Sequence, residues 1–201
     1  MEGFNRKAFD EMVGKAQEEA LKDNAKLDSA NALIKEIKGE KEIAESKEQF
    51  ETWQTIESGG KSKDELIKEL EEKGRLIGAD ANHLLKSEDF KTSESREHID
   101  LVRPTVKDLG FDNGATTEEI YARADELGLD LCEAEDAPNL RVQYDGTEGM
   151  AIAMKQITGS GGFPSVFYLS SDDDDLWLGT NGARPGIRWN ADNRFVFRRR
   201  K

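Results

Sequence analysis

Hydrophobic positions recur with a helical period in the first part of the chain and with a period of two in the last third. Phe9, Met12, Val13, Ala16 and Ala20 follow the i, i+3, i+4, i+7 spacing, and Leu27, Ala30, Ile34 and Ile37 resume it. This stripe is thin and alanine-rich and keeps no strict heptad, so it predicts a peripheral amphipathic arm rather than a coiled coil. Near Phe50 a second unit begins, with Phe50, Thr52, Trp53, Thr55 and Ile56 as a strand-prone aromatic anchor closed by Ser58-Gly59-Gly60. Ser62 and Glu65 have capping-box spacing, in which hydroxyl and carboxylate satisfy each other's backbone donors at a helix start. The helix they open carries Leu66, Ile67 and Leu70 and stops at Gly74, and Asp80 is placed to cap a second helix, Ala81 to Lys86. The pair reads as a helical hairpin, and Lys86 to Glu97, almost free of apolar residues, reads as a linker.

The third unit opens with a strand at Ile99 to Val102, halted by Pro104, and one helical turn from Thr105 ended by Gly110. Thr116 and Glu119 form the clearest capping box, ahead of Ile120, Tyr121, Ala124 and Leu127 on one helical face, with Gly128 as the terminator. Beyond Pro138 the segments Leu140 to Tyr144, Met150 to Ile157, Ser165 to Leu169, Leu176 to Leu178 and Arg194 to Phe197 alternate or run apolar between turn clusters. Strands joined by short loops without helices predict an antiparallel sheet. The expectation is an α+β chain: an arm over residues 1–48, the hairpin and linker over 49–98, and over 99–201 a domain with an antiparallel sheet of about five strands packed with the Thr117 helix.

Composition narrows the class of chemistry. Hydrophobic residues are 36% and charged residues 35% of the 201, an apolar share below the roughly 45–50% of globular domains. Net charge is −13, with 17 Lys and Arg against 24 Asp and Glu up to His98 and 12 against 18 after it. Acidity in both halves opposes general phosphate binding, which needs cations to displace counterions. The one basic stretch is Arg194 and Arg198 to Lys201. A lone cysteine, Cys132, and the acidic first thirty residues predict a cytoplasmic protein, with no intramolecular disulfide, signal peptide or membrane span.

Candidate chemistry is sparse. Gly60-Lys61-Ser62 has the ending of a phosphate-binding loop, but Thr55 stands where the first glycine belongs, so a turn with a capping Ser is expected. The two histidines, His83 and His98, lie in the second helix of the hairpin and in the linker, and no catalytic residues, metal ligands or cofactor are assigned. Asp172 to Asp175 lacks the alternating ligands and turning glycine of a calcium loop and reads as a solvated loop. Trp177 and Trp189 flank a segment holding Asn181, Arg184, Arg188 and Asp192, a set suited to stacking and hydrogen-bonding a sugar or base. Core packing is the first expectation for these rings, with Trp189 the more exposed because polar residues surround it. A nucleic-acid surface would use Asn82 and Lys86 of the hairpin with Arg198, Arg199 and Arg200, although Asp64, Glu65, Glu69, Glu71 and Glu72 would face the polyanion.

Several phrases together resemble a family of uncharacterised bacterial proteins: Gly114 to Ala124, Glu126 to Cys132, Leu140 to Tyr144, Ile152-Ala-Met154, Asp175 to Leu178 and Arg194 to Phe197, with Trp53-Gln-Thr-Ile56 upstream. The resemblance covers about residues 51–201 and departs from the family's Cys-Pro-Ala-Glu at Cys132-Glu-Ala-Glu135. It implies a bacterial cytoplasmic setting and carries no activity or site residue across. The leading functional expectation is a non-catalytic protein-interaction or scaffold protein. Its N-terminal helix would dock on another chain or a second copy; a nucleic-acid-binding protein and a carbohydrate-binding or carbohydrate-active module are the alternatives.

Overall fold

The structure, a computed structural model, describes residues 50–200 and, before them, Lys15, Lys22, Lys26, Asp28, Ser29 and Asn31, which are helical and exposed. Met1–Glu45 and Ser46–Lys201 are separate compact units. The apolar stripe expected of the arm, Phe9 to Ile37, lies outside the described residues, as does Lys201.

Both capping boxes form. Ser62 Oγ accepts from the Glu65 N–H, and the Glu65 carboxylate accepts from the Ser62 N–H at 2.8 Å, which starts α1 (Lys63–Glu72). Thr116 and Glu119 do the same for α3 (Thr117–Glu126). Between them lies α2 (Ala79–Lys86), whose N-cap is Gly78 and not Asp80; the Gly78 carbonyl already accepts from the Asn82 N–H. The residues joining α1 to α2 include a short strand, so the expected hairpin is interrupted. The expected linker carries Phe90, which is fully buried, and Ser93, whose carbonyl accepts from the Gly60 N–H.

The largest correction concerns Leu140 to Tyr144, expected as a strand. Asp136–Gln143 is a helix, α4, and every residue from Asp136 to Val142 is buried. A helix enclosed on all sides has no polar face, so its 3.6-residue period is erased and the alternation of Leu140, Val142 and Tyr144 is left as a misleading signal. Pro138 falls in the first turn, where its missing N–H costs nothing.

The strands are β1 (Gln54–Ser58), β2 (Leu76–Ile77), β3 (Glu97–Val102), β4 (Ala115–Thr116), β5 (Leu129–Asp130), β6 (Met150–Ile152), β7 (Ile157–Thr158), β8 (Pro164–Asp172), β9 (Asp175–Gly182), β10 (Arg188–Trp189) and β11 (Phe195–Arg199). Nine of them make one sheet in the order β1-β3-β11-β6-β8-β9-β2, with β5 beside β11 and β7 beside β8, while β4 and β10 pair separately. The expected five antiparallel strands are thus extended, and two pairings, β6 with β11 and β2 with β9, are parallel. The additional strands are short or polar: β1 has one buried apolar residue, Ile56, and β2, β5 and β7 have two residues each, too few to show alternation.

Register assigns the faces, because directly paired residues project to the same side. Ile56 and Ile99, Leu101 and Arg198, Val196 and Ile152, and Leu169 and Leu178 share one face, where α4 and Phe90 pack. Phe195, Phe197 and Ala151 share the other, where Tyr121 of α3 meets Phe195 and Phe197 edge-on. The helix α4 touches both β1 and β9. Those strands are five intervals apart in the sheet, about 24 Å if it were flat, whereas a helix is about 10–12 Å across. The sheet therefore curls around α4.

The turn after β1 depends on Gly59, at φ +81°, where an added Cβ would lie 2.1 Å from the Ser95 carbonyl oxygen. Gly59→Ala is expected to destabilise the protein by about 2 kcal/mol or more, from left-handed backbone strain plus a backbone clash. Urea unfolding of the variant checks this; an unchanged midpoint would contradict the turn geometry.

Candidate functional site

Four segments converge where α4 ends. Trp53 precedes β1, and its N–H donates to the Leu101 carbonyl at 2.8 Å, which fixes the indole beside the end of β3. Arg103 follows β3 and lays its guanidinium over the Trp53 ring, 4.5 Å from the centroid. Tyr144, the C-cap of α4, meets Trp53 edge-on at 4.8 Å. Glu148, in the loop leading to β6, accepts from Arg103 Nη1 and from the Tyr144 hydroxyl.

These contacts order the wall of a recess of about 540 Å³ lined by Phe50, Glu51, Trp53, Val102, Arg103, Pro104, Asp108 and Arg194. The recess combines aromatic and aliphatic side chains with two guanidinium groups, Arg103 and Arg194, and two carboxylates, Glu51 and Asp108. Arg103 is engaged by Glu148. Asp108 closes the turn from Thr105, accepting the Thr105 N–H at 2.9 Å. Its carboxyl is held below the usual range first by the Thr105 hydrogen bonds, with Arg194 and Lys107 adding charge. Arg194 makes no ion pair among the described residues, although its charge acts on the Asp108 and Glu148 carboxylates, so the recess holds a cation without a direct carboxylate contact beside an indole. Such a surface accepts an anionic group together with an apolar or aromatic one.

The six residues expected to bind a ligand do not line this recess. Trp177 stands half-buried on β9 opposite Ser170 and Leu76, and Asn181 lies on the same strand opposite Val166. Arg184 stacks on exposed Phe163, 4.9 Å from the ring centroid. Arg188 donates to the Gly114 carbonyl and faces Glu119 at 3.5 Å. Asp192 is exposed. Trp189 reverses the expectation: it is 6% exposed, packs on Phe195 at 4.8 Å, and donates its indole N–H to Thr117 Oγ1 at 2.9 Å. Its polar sequence neighbours face outward while the ring fills the space between α3 and β11, so it offers no stacking platform.

The residues proposed for nucleic acid are also occupied in part. Arg198 and Arg199 belong to β11 and not to a free tail. Arg198 pairs with Asp136 and Glu97, and Arg200 with Asp125 and Asp130. Arg199 faces Thr52 Oγ1 at 3.4 Å. Asn82 is half-buried on α2, and Lys86 ends that helix, exposed. Lys61, in the phosphate-loop-like stretch, is held by Glu69 and Asn139, and Ser62 caps α1. Cys132 is buried, and its thiol is pushed well up by burial, so it behaves as a small core residue. No group of three potential metal ligands occurs among the described residues, and none of the described helices is long and apolar enough to cross a membrane.

Comparisons of the chain with protein-family models, with curated proteins and with solved structures find no match.

The Tyr144 and Arg103 hydrogen bonds hold the Glu148 carboxyl below its ordinary range, Tyr144 contributing most. A carboxylate with a depressed folded-state pKa adds stability that is present above its unfolded pKa and is lost as pH falls through the folded value. Tyr144→Phe should move the Glu148 titration up toward the ordinary carboxylate range and reduce this acid-sensitive contribution. Carboxyl ¹³C shifts followed against pH measure it, and an unmoved titration would contradict the contact.

Proposed function

We propose that this chain is a non-catalytic, cytoplasmic protein-interaction protein, and that the recess beside Trp53 takes a short acidic segment of another protein. The observation that carries the reading is the presence of an ordered indole and of Arg194, which makes no direct ion pair among the described residues, in one open recess. Trp, Tyr and Arg are the residue types that dominate binding energy at protein interfaces. An ordered aromatic anchor costs little side-chain entropy when a partner docks. The net charge of −13 repels a polyanion at long range, which favours a segment with one or two carboxylates beside an apolar side chain over a nucleic acid. With Arg198 and Arg200 each shared between two carboxylates, a nucleic acid would have to break ion pairs to use them. The N-terminal arm extends the same reading as a second contact element, docking on another chain or on a second copy.

Fluorescently labelled peptides pairing two Asp or Glu residues with an aromatic or aliphatic side chain test the recess by anisotropy. Trp53→Ala and Arg194→Ser are expected to weaken binding by about tenfold or more, while Arg184→Ser, outside the recess, leaves it unchanged. Absence of binding across the peptide set, or equal losses in Arg194→Ser and Arg184→Ser, would reject the reading.

A further inference from the structure

Behind the recess, two arginines carry hydrogen-bond donors that the protein does not satisfy. Arg141 of α4 is 0% exposed. Its Nη2 serves the carbonyls of Tyr144 and Gly146, while its Nε and Nη1 have no acceptor. Arg75, between α1 and β2, pairs through Nη2 with Asp145, and its buried Nε has no acceptor either. Among the described residues, the only carboxylate engaged by either guanidinium is Asp145, whose side chain is 84% exposed. Burial, and after it the charge of Arg75, pulls the Arg141 pKa down to about 10.

We propose that Arg75 and Arg141 form a binding site for a small oxyanion, a carboxylate or a phosphate-type group, which enters by displacing the Asp145 side chain. Unpaired buried donors are costly, and more so on charged groups. An enclosed water molecule could accept from such donors but would leave two neighbouring cations sharing the single exposed carboxylate of Asp145. An oxyanion accepts from several N–H groups at once, in the bidentate geometry that guanidinium provides; a carboxylate brings one negative charge between the two cations and a phosphate dianion neutralises both. The full burial of Arg141 restricts the ligand to a small group or to the end of a larger one. Asp145, solvated and on the loop after α4, is the internal carboxylate that holds the outer position until the ligand arrives. This site is separate from the recess, although the Tyr144 ring lies between Arg141 and Trp53.

The test is calorimetric titration of the full chain with inorganic phosphate and, separately, formate, at fixed ionic strength, together with thermal melts in phosphate and in chloride. Heat of binding to at least one of the two anions is expected, with a melting temperature that climbs with that anion's concentration. Asp145→Asn, which removes the competing carboxylate, should tighten binding about threefold or more, and Arg75→Gln should weaken it about tenfold or more. The two variants therefore move in opposite directions, which a general salting effect does not produce. No heat with either anion, or equal anion-dependent melting shifts in the wild type and Arg75→Gln, would overturn the proposal and leave enclosed water as the partner of these donors.

Discussion

The carboxylate of Asp136 accepts from the Ser58 hydroxyl at 2.6 Å, from Arg198 Nε at 2.7 Å and Nη2 at 2.9 Å, and from the Glu133 N–H at 2.9 Å. One buried group thereby fastens α4 to β1 at one edge of the sheet and to β11 near its middle. Asp136 is 1% exposed, so its charge is tolerated only because these donors replace the water it has lost. Burial alone would lower the Arg198 pKa, but the hydrogen bonds and charge of Asp136, with Glu97, outweigh it and hold the guanidinium firmly charged. At the other end of α4 the Gln143 side chain accepts from the Glu57 N–H and donates to the Glu57 carbonyl, occupying the open edge of β1 as a strand would. The curl of the sheet follows from this: β1 must come around α4 to meet both groups.

The recess beside Trp53 is a consequence of the same arrangement. Where α4 ends, Tyr144 emerges against Trp53, and Arg103 covers that indole. Arg141, one turn earlier, remains enclosed beneath the Tyr144 ring. The recess and the enclosed Arg141 are thus positioned by one helix terminus, on either side of one aromatic ring. A shift of α4 along its axis would disturb both.

What could be read from the chain beforehand was what depends on neighbours in sequence. Ser62 with Glu65 and Thr116 with Glu119 announce helix starts because each box closes within four residues. Strands β3, β8, β9 and β11 were visible because their buried residues alternate or run together. The apolar run Met150 to Ile157 likewise announced β6 and β7, and Phe50 to Ile56 was strand-prone ahead of β1, whereas β2, β5 and α4 owe their form to distant partners: β2 pairs with β9, β5 with β11, and α4 is a helix among groups that stand on other strands. The same reason hides the recess. Trp53, Arg103, Tyr144, Glu148 and Arg194 come from five separate stretches, and no spacing rule connects them. Trp189 and the C-terminal arginines misled in the other direction, since their polar sequence surroundings give no hint of Thr117, Asp136 or Asp130 waiting in the fold.

The Asp136–Arg198 pair fastens α4 inside the sheet. A double-mutant cycle on the full chain with Asp136→Asn, Arg198→Met and their combination, followed by urea unfolding, measures it most directly. Arg198→Met strands the buried Asp136 carboxylate, while Asp136→Asn leaves the half-buried Arg198 with Glu97 alone, so the predicted coupling energy is about 2–3 kcal/mol, with the double variant much less destabilised than the sum of the singles. Additive effects of less than about 1 kcal/mol each, the scale of exposed ion pairs, would contradict the account.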